Sequence, residues 1–152
     1  MEEQLLDTWN INNRINLYML DAIASEALGG ASASKGRSVA QQFAHIHNVR
    51  LMWLKAAAPE LMEGLGKIEK EPVDKDALRR GLEESGRAIE VLLKQGIAAG
   101  KIKGFKPHPI AFLGYIIAHD AYHRAEIGII LTQSGHPLDQ KTSYGMWEWG
   151  TR

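Results

Sequence analysis

Pro109-Ile-Ala-Phe-Leu-Gly-Tyr-Ile-Ile-Ala-His119-Asp-Ala-Tyr-His123-Arg-Ala-Glu126-Ile-Gly-Ile-Ile-Leu-Thr-Gln133 is the stretch on which the chain turns. A proline suited to the first helical position opens it, and Gly135 and Pro137 stand just beyond its end, so it reads as one uninterrupted helix. Its 25 residues would extend about 37 Å at 1.5 Å per residue. Phe112, Ile116, His119, His123, Glu126 and Ile130 recur at spacings of three and four and share one face. The outer members of that face are apolar and the middle three are ionisable. Two imidazoles and a carboxylate at the centre of a core-facing stripe are costly unless something satisfies them, and a metal ion would do so.

Working outward, three more helical patterns precede this one. Residues 4–28 form the first, with Leu5, Trp9, Leu17, Leu20 and Ala24 on one side, Asn12, Asn13 and Asn16 interrupting it, and Gly29-Gly30 as its end. The asparagines fit either a polar cavity or an exposed face. Residues 31–37 have loop composition. Ser38-Val-Ala-Gln41 reads as a capping box that opens a second helix running to about Ala58, before Pro59. Two apolar stripes can be drawn on it, one through Phe43, His47, Leu51 and Leu54 and one through Gln42, His45, Val49, Met52 and Trp53. His45 and His47 point about 200° apart, so one of them at most faces the core centre.

Pro59 to Pro72 is an acidic, glycine-containing connector with room for a short helical turn. Asp74 is placed to cap a third helix whose buried face is Leu78, Leu82, Ser85, Ile89 and Leu92, with Gly96 and Gly100 fraying its end. After Pro137 comes an irregular tail in which Tyr144, Trp147 and Trp149 predict docking on the body. Four helical segments without a strand pattern predict an all-α four-helix bundle, a single domain over residues 1–152. The long connections leave simple up-down-up-down wiring unassured.

Lys plus Arg and Asp plus Glu each number 18, for zero formal charge, which offers no general attraction to nucleic acid or anionic membrane. Absence of cysteine excludes disulfides, zinc thiolates and a thiol nucleophile, and leaves histidine and carboxylate as the strong metal ligands. The acidic amino terminus lacks a signal-peptide layout, and the longest apolar run, Ile110 to Ala118, is too short to span a bilayer. The expectation is a soluble, cytoplasmic protein.

Histidines four apart on a helix reach one ion from adjacent coordination positions, and His45 or His47 could supply a third ligand. The bland alternative is a pair of core-edge histidines bonded to backbone or to Glu126. His119-Asp-Ala-Tyr-His123 also brushes the His-Glu-x-x-His zinc-peptidase pattern, but Asp120 is a methylene shorter than the glutamate base and no further signature follows. His108 and His136, at the two ends of the fourth helix, read as turn residues.

Phe43-Ala-His45-Ile-His-Asn-Val-Arg-Leu-Met-Trp53-Leu resembles the second-helix motif of the DinB-like (YfiT-like) metalloenzyme superfamily. His119-Asp-Ala-Tyr-His123-Arg-Ala-Glu-Ile127 resembles its fourth-helix motif, and Gly145-Met-Trp-Glu-Trp149 is similar to endings in that family. The resemblance implies a four-helix bundle, frequently dimeric, in which three histidines hold a divalent ion, often nickel or zinc. By that pattern the metal ligands are His45, His119 and His123, with His47 a side-facing neighbour. Glu126 stands where the family often has glutamine, which opens the question of whether it or His47 joins the shell.

The family's characterised members include thiol-dependent transferases and isomerases using mycothiol, bacillithiol or glutathione. The expectation is therefore a divalent-metal-dependent thiol S-transferase in stress response or detoxification, acting on a small electrophile, as a homodimer. The alternatives are a hydrolase that activates metal-bound water, or a non-catalytic metal-binding stress protein with a coordinatively closed ion.

Overall fold

The computed structural model describes residues 1–70 and 73–152. The expected end of the acidic connector at Pro72 lies outside the described residues. Among those described, four long helices dominate and no strand occurs: α1 (Glu2–Ala22), α2 (Val39–Ala57), α3 (Lys75–Ala99) and α4 (Pro109–Gln133), followed by a short α5 (Gln140–Gly145). Among the described residues no helix is long and apolar enough to cross a membrane.

Local chemistry sets most helix ends. Ser38 accepts from the Gln41 amide while the Gln41 side chain accepts from the Ser38 amide, a closed capping box at the start of α2. Asp74 caps α3 through the Ala77 amide. Pro109 takes the first position of α4, and the His108 ring nitrogen accepts from the Ala111 amide, so His108 is a cap.

Two local expectations are corrected and a third is refined. Helix α1 stops at Ala22 rather than near residue 28, and Ile23 turns extended. The Lys75 ammonium, arriving with α3, donates to the Asp21 and Ile23 carbonyls and takes over the role of a further helical turn. Gly96 does not fray α3: a Cβ there would collide with Ile102, so the glycine admits the loop that follows, and Gly100 ends the helix in the left-handed region at φ 70°. In the tail, the backbone folds back and Arg152 stacks on the Tyr18 ring at 3.9 Å, but Trp147 and Tyr144 remain 81% and 65% exposed. The tail thus docks on the body as expected, but through Met146 against the core, the buried Thr142 and Gly145, and Arg152, while these two aromatics stay largely exposed.

Two apolar clusters fill the bundle, one at each end. Met19, Leu20, Phe43, Ile46, Leu78, Leu82, Ile127 and Ile130 belong to the first. Trp9, Leu51, Leu54, Ile89, Leu92, Phe112 and Ile116 belong to the second. Following each helix from one cluster to the other gives its direction: α1 and α4 run parallel, and α2 and α3 run together in the opposite sense. Helix α1 packs on α3 and α4, and so does α2, which puts α1 and α2 at opposite corners. The wiring is thus not up-down-up-down. Because α2 and α3 are parallel, the segment between them must travel back along the bundle.

Between the clusters lies a polar waist. Asn12, Asn13, Asn16, Arg50, Ser85 and Asp120 are all buried at this level. The three asparagines therefore do not break α1 or face solvent; they are its contribution to the waist.

Candidate metal centre

Helix α2 presents His45 and α4 presents His119 and His123, one turn apart. Their ring centroids are 5.3, 4.6 and 4.5 Å apart, and a ligand-capable nitrogen from each lies within 4.8 Å of the others. Nitrogens bound at about 2.1 Å in adjacent positions around one ion sit roughly 3.0–3.4 Å apart. The rings would need to close by less than an ångström each, within the reach of small side-chain torsions.

The donor set fits a borderline divalent cation, since all three groups are imidazoles with a lone pair free when neutral. Burial first, then the His119 and His45 rings and Arg37, holds His123 down to about 4. The same kinds of influence, burial first and then Arg37, lower His45. Both are therefore neutral at pH 7.

One outer nitrogen of the cluster is held by a side chain, as metal-ligating histidines commonly are. His123 Nδ1 lies 2.6 Å from Gln42 Oε1, and the Gln42 amide nitrogen donates to Glu126 Oε2 at 3.4 Å. Since the amide oxygen can only accept, Nδ1 carries the proton and Nε2 keeps the free lone pair. Glu126 thus acts on His123 through Gln42 and is not a member of the histidine cluster. His119 Nδ1 stands 3.6 Å from Asp120 Oδ1, and neither atom has a hydrogen-bond partner among the described residues. A slight rotation of either would make the bond.

His47 takes no part in the cluster. It is the more buried of the two α2 histidines and points to α3, where Nδ1 lies 2.8 Å from the Gly81 carbonyl and Nε2 2.8 Å from the Gly66 carbonyl. Its neutral ring can donate to only one of these carbonyls, but both nitrogens face backbone carbonyls and not the cluster, so it cannot complete a coordination shell while this packing holds.

Behind the histidines is a network that sequence reasoning missed. Asp120 Oδ2 accepts from Arg50 at 2.7 Å and from the Asn12 and Asn16 amides at 2.9 Å each. Arg124 donates to the Oδ1 atoms of the same two asparagines, and Arg50 donates also to Asn13 Oδ1 at 2.8 Å. Burial alone would push the Asp120 carboxyl up, but the Arg50 guanidinium and these donors hold it well below the usual carboxylate range. Asp120 is therefore a buried anion that anchors α4 from behind and stands beside His119, and the peptidase-like base reading has no support in this geometry. Its only signal in the sequence was a lone Asp flanked by the histidines.

The model of the DinB family matches residues 1–149. No curated protein and no solved structure matches the chain.

Proposed function

Because this chain belongs to the DinB family, we propose that it is a divalent-metal-dependent enzyme with His45, His119 and His123 as the metal ligands and nickel or zinc as the ion. The observation that carries the reading is the convergence of three imidazoles from two helices, two of them with outer nitrogens facing fixed polar partners. A divalent ion with an open position lowers the pKa of a thiol or water that it binds. The chain's own part is to keep His45 and His123 neutral by burial, to fix the His123 tautomer through Gln42, and to place His119 beside Asp120.

Within that reading the reaction is transfer of a small cosubstrate thiol, of the bacillithiol, mycothiol or glutathione kind, to an electrophile in detoxification. The chain has no cysteine, so the nucleophile must come from outside. The working form is a cytoplasmic homodimer, for which exposed Ile129, Tyr122 and Trp147 offer apolar surface.

Elemental analysis of untagged protein tests the site. One equivalent of metal is expected in the wild type and none in His45→Ala, His119→Ala or His123→Ala, with His47→Ala retaining it. Metal-free wild type after incubation with divalent ions would remove the enzyme reading. Turnover of an electrophile that requires added thiol supports the transferase; turnover in water alone would replace it with the hydrolase.

A further inference from the structure

The segment that returns between α2 and α3 forms one wall of a cleft of about 520 Å³ that opens beside His45. Lys67 and Lys70 belong to this wall, and Lys35 and Arg37, from the segment before α2, belong to the other. Among the described residues the lining contains four cations and a single carboxylate, Glu69, in a chain of zero net charge. None of the four cations makes an ion pair among the described residues.

Both walls are fastened. Asn48 of α2 donates to the Ile68 carbonyl at 2.9 Å and accepts from the Ile68 amide at 3.0 Å, while His47 Nε2 faces the Gly66 carbonyl at 2.8 Å. These bonds fix the backbone on either side of Lys67. On the opposite side, Ala31 and Ser38 form an antiparallel bridge, and the Ala33 amide donates to Gln133 of α4. At the tip of that loop Lys35 adopts φ 58°, the one non-glycine in the left-handed region among the described residues. A lysine has no local reason to prefer that backbone. Four like charges gathered on anchored backbone repel one another, and a bound anion relieves the repulsion.

We propose that this cleft is an oxyanion site, taking a small molecule with two or three carboxylate or phosphate groups and presenting the rest of it to the histidine cluster. Arg37 and His45 mark the junction, since both line the cleft and His45 belongs to the histidine cluster. The functional half of this inference rests on the metalloenzyme reading, whereas the anion site itself does not.

The test titrates metal-free, ¹⁵N-labelled full-length protein with tricarballylate and, separately, with inorganic phosphate, at about 0.05 M ionic strength to limit screening. The trimethyl ester of tricarballylate serves as the uncharged control. Saturable amide shifts confined to residues 35–48 and 66–70 are expected, with no response to the ester. The Arg37→Gln/Lys67→Gln variant should weaken Kd at least tenfold and keep the wild-type metal content. His119→Ala should bind the anion as wild type does. Stronger response to phosphate than to tricarballylate would assign the phosphate source, and the reverse the carboxylate source. Shifts scattered over remote lysines such as Lys55, Lys94 and Lys101, or an unchanged Kd in the double variant, would overturn the site. A wild type that binds the anion but no metal would sink the enzyme reading alone.

Discussion

Replacing Asp120 by Asn removes one charge and almost no volume, so its effect reports on the waist. Both Asp120 and Arg50 are completely buried, with 2.7 Å between their charged atoms. In the variant Arg50 keeps its bonds to Asn13 and to the Leu82 carbonyl but loses its counter-charge. Arg124, which reaches the carboxylate through Asn12 and Asn16, is left similarly uncompensated. Removing one partner of a buried ion pair costs about 3–5 kcal/mol. For a chain of this size each kcal/mol lowers Tm by about 2–4 °C, so the expected drop is roughly 6–20 °C. The assay is urea and thermal denaturation of metal-free protein at pH 7, followed by far-ultraviolet circular dichroism. An Arg50→Met/Asp120→Leu variant, which deletes both charges, should recover part of the loss but not all, because the asparagines lose their acceptor. A loss under 1 kcal/mol in Asp120→Asn, or a double variant worse than the single, would refute the claim that an uncompensated guanidinium sets the cost.

Gln42→Leu should lower metal affinity about 10–100-fold with little change in fold stability, because it removes the group that fixes the His123 tautomer; equal affinity in a competition titration would count against that role. Gly86→Ala should destabilise by about 1–3 kcal/mol, since the added methyl collides with the Asn13 amide, itself an acceptor for Arg50. Metal-free wild type should lose stability as pH falls from 6.5 towards 4. His123 resists protonation down to about 4 in the folded protein while the unfolded chain takes up that proton near 6.5. Above pH 7 this contribution is constant, and urea midpoints at pH 7, 5.5 and 4.5 should show a shallower slope in His123→Gln. Below about pH 4 a second loss should set in as Asp120, whose folded pKa is depressed, is protonated; Asp120→Asn should lack it.

What the residues disclosed on their own were features whose cause is local. Pro109, Ser38 with Gln41, and Asp74 each act on backbone groups three positions away or nearer, and the structure has all three helix starts where their chemistry puts them. The i, i+4 pairing of His119 and His123 is likewise geometry internal to one helix. Choosing His45 over His47 required the family resemblance, because a period of 3.6 says that the two diverge but not which one meets α4. The waist was illegible for a different reason. Asn12 and Asn16 meet Asp120 across 108 and 104 residues, and Arg50 meets it across 70. Polar residues on a helix look like a solvated face until their partners are known. The end of α1 was misread on the same principle, its cap arriving from Lys75, 52 residues beyond Ile23. The tail aromatics pointed rightly to docking but not to the residues that make it, Met146 and Arg152, since hydrophobic character alone does not say which side chain finds a surface.

The Arg50–Asp120 pair also bears on the order of assembly. During synthesis α1, α2 and α3 emerge before α4, and together they contain Arg50 and the asparagines, but not Asp120. Closing that three-helix fragment would bury a guanidinium with amide oxygens alone for company, at a cost of several kcal/mol. The fragment should therefore stay loosely associated until α4 supplies the missing anion. His119 and His123 arrive on that same helix, next to the residue that permits closure, so the three histidines come together in the step that completes the bundle. An ion captured by three histidines would be captured late, by a scaffold already committed to its final shape.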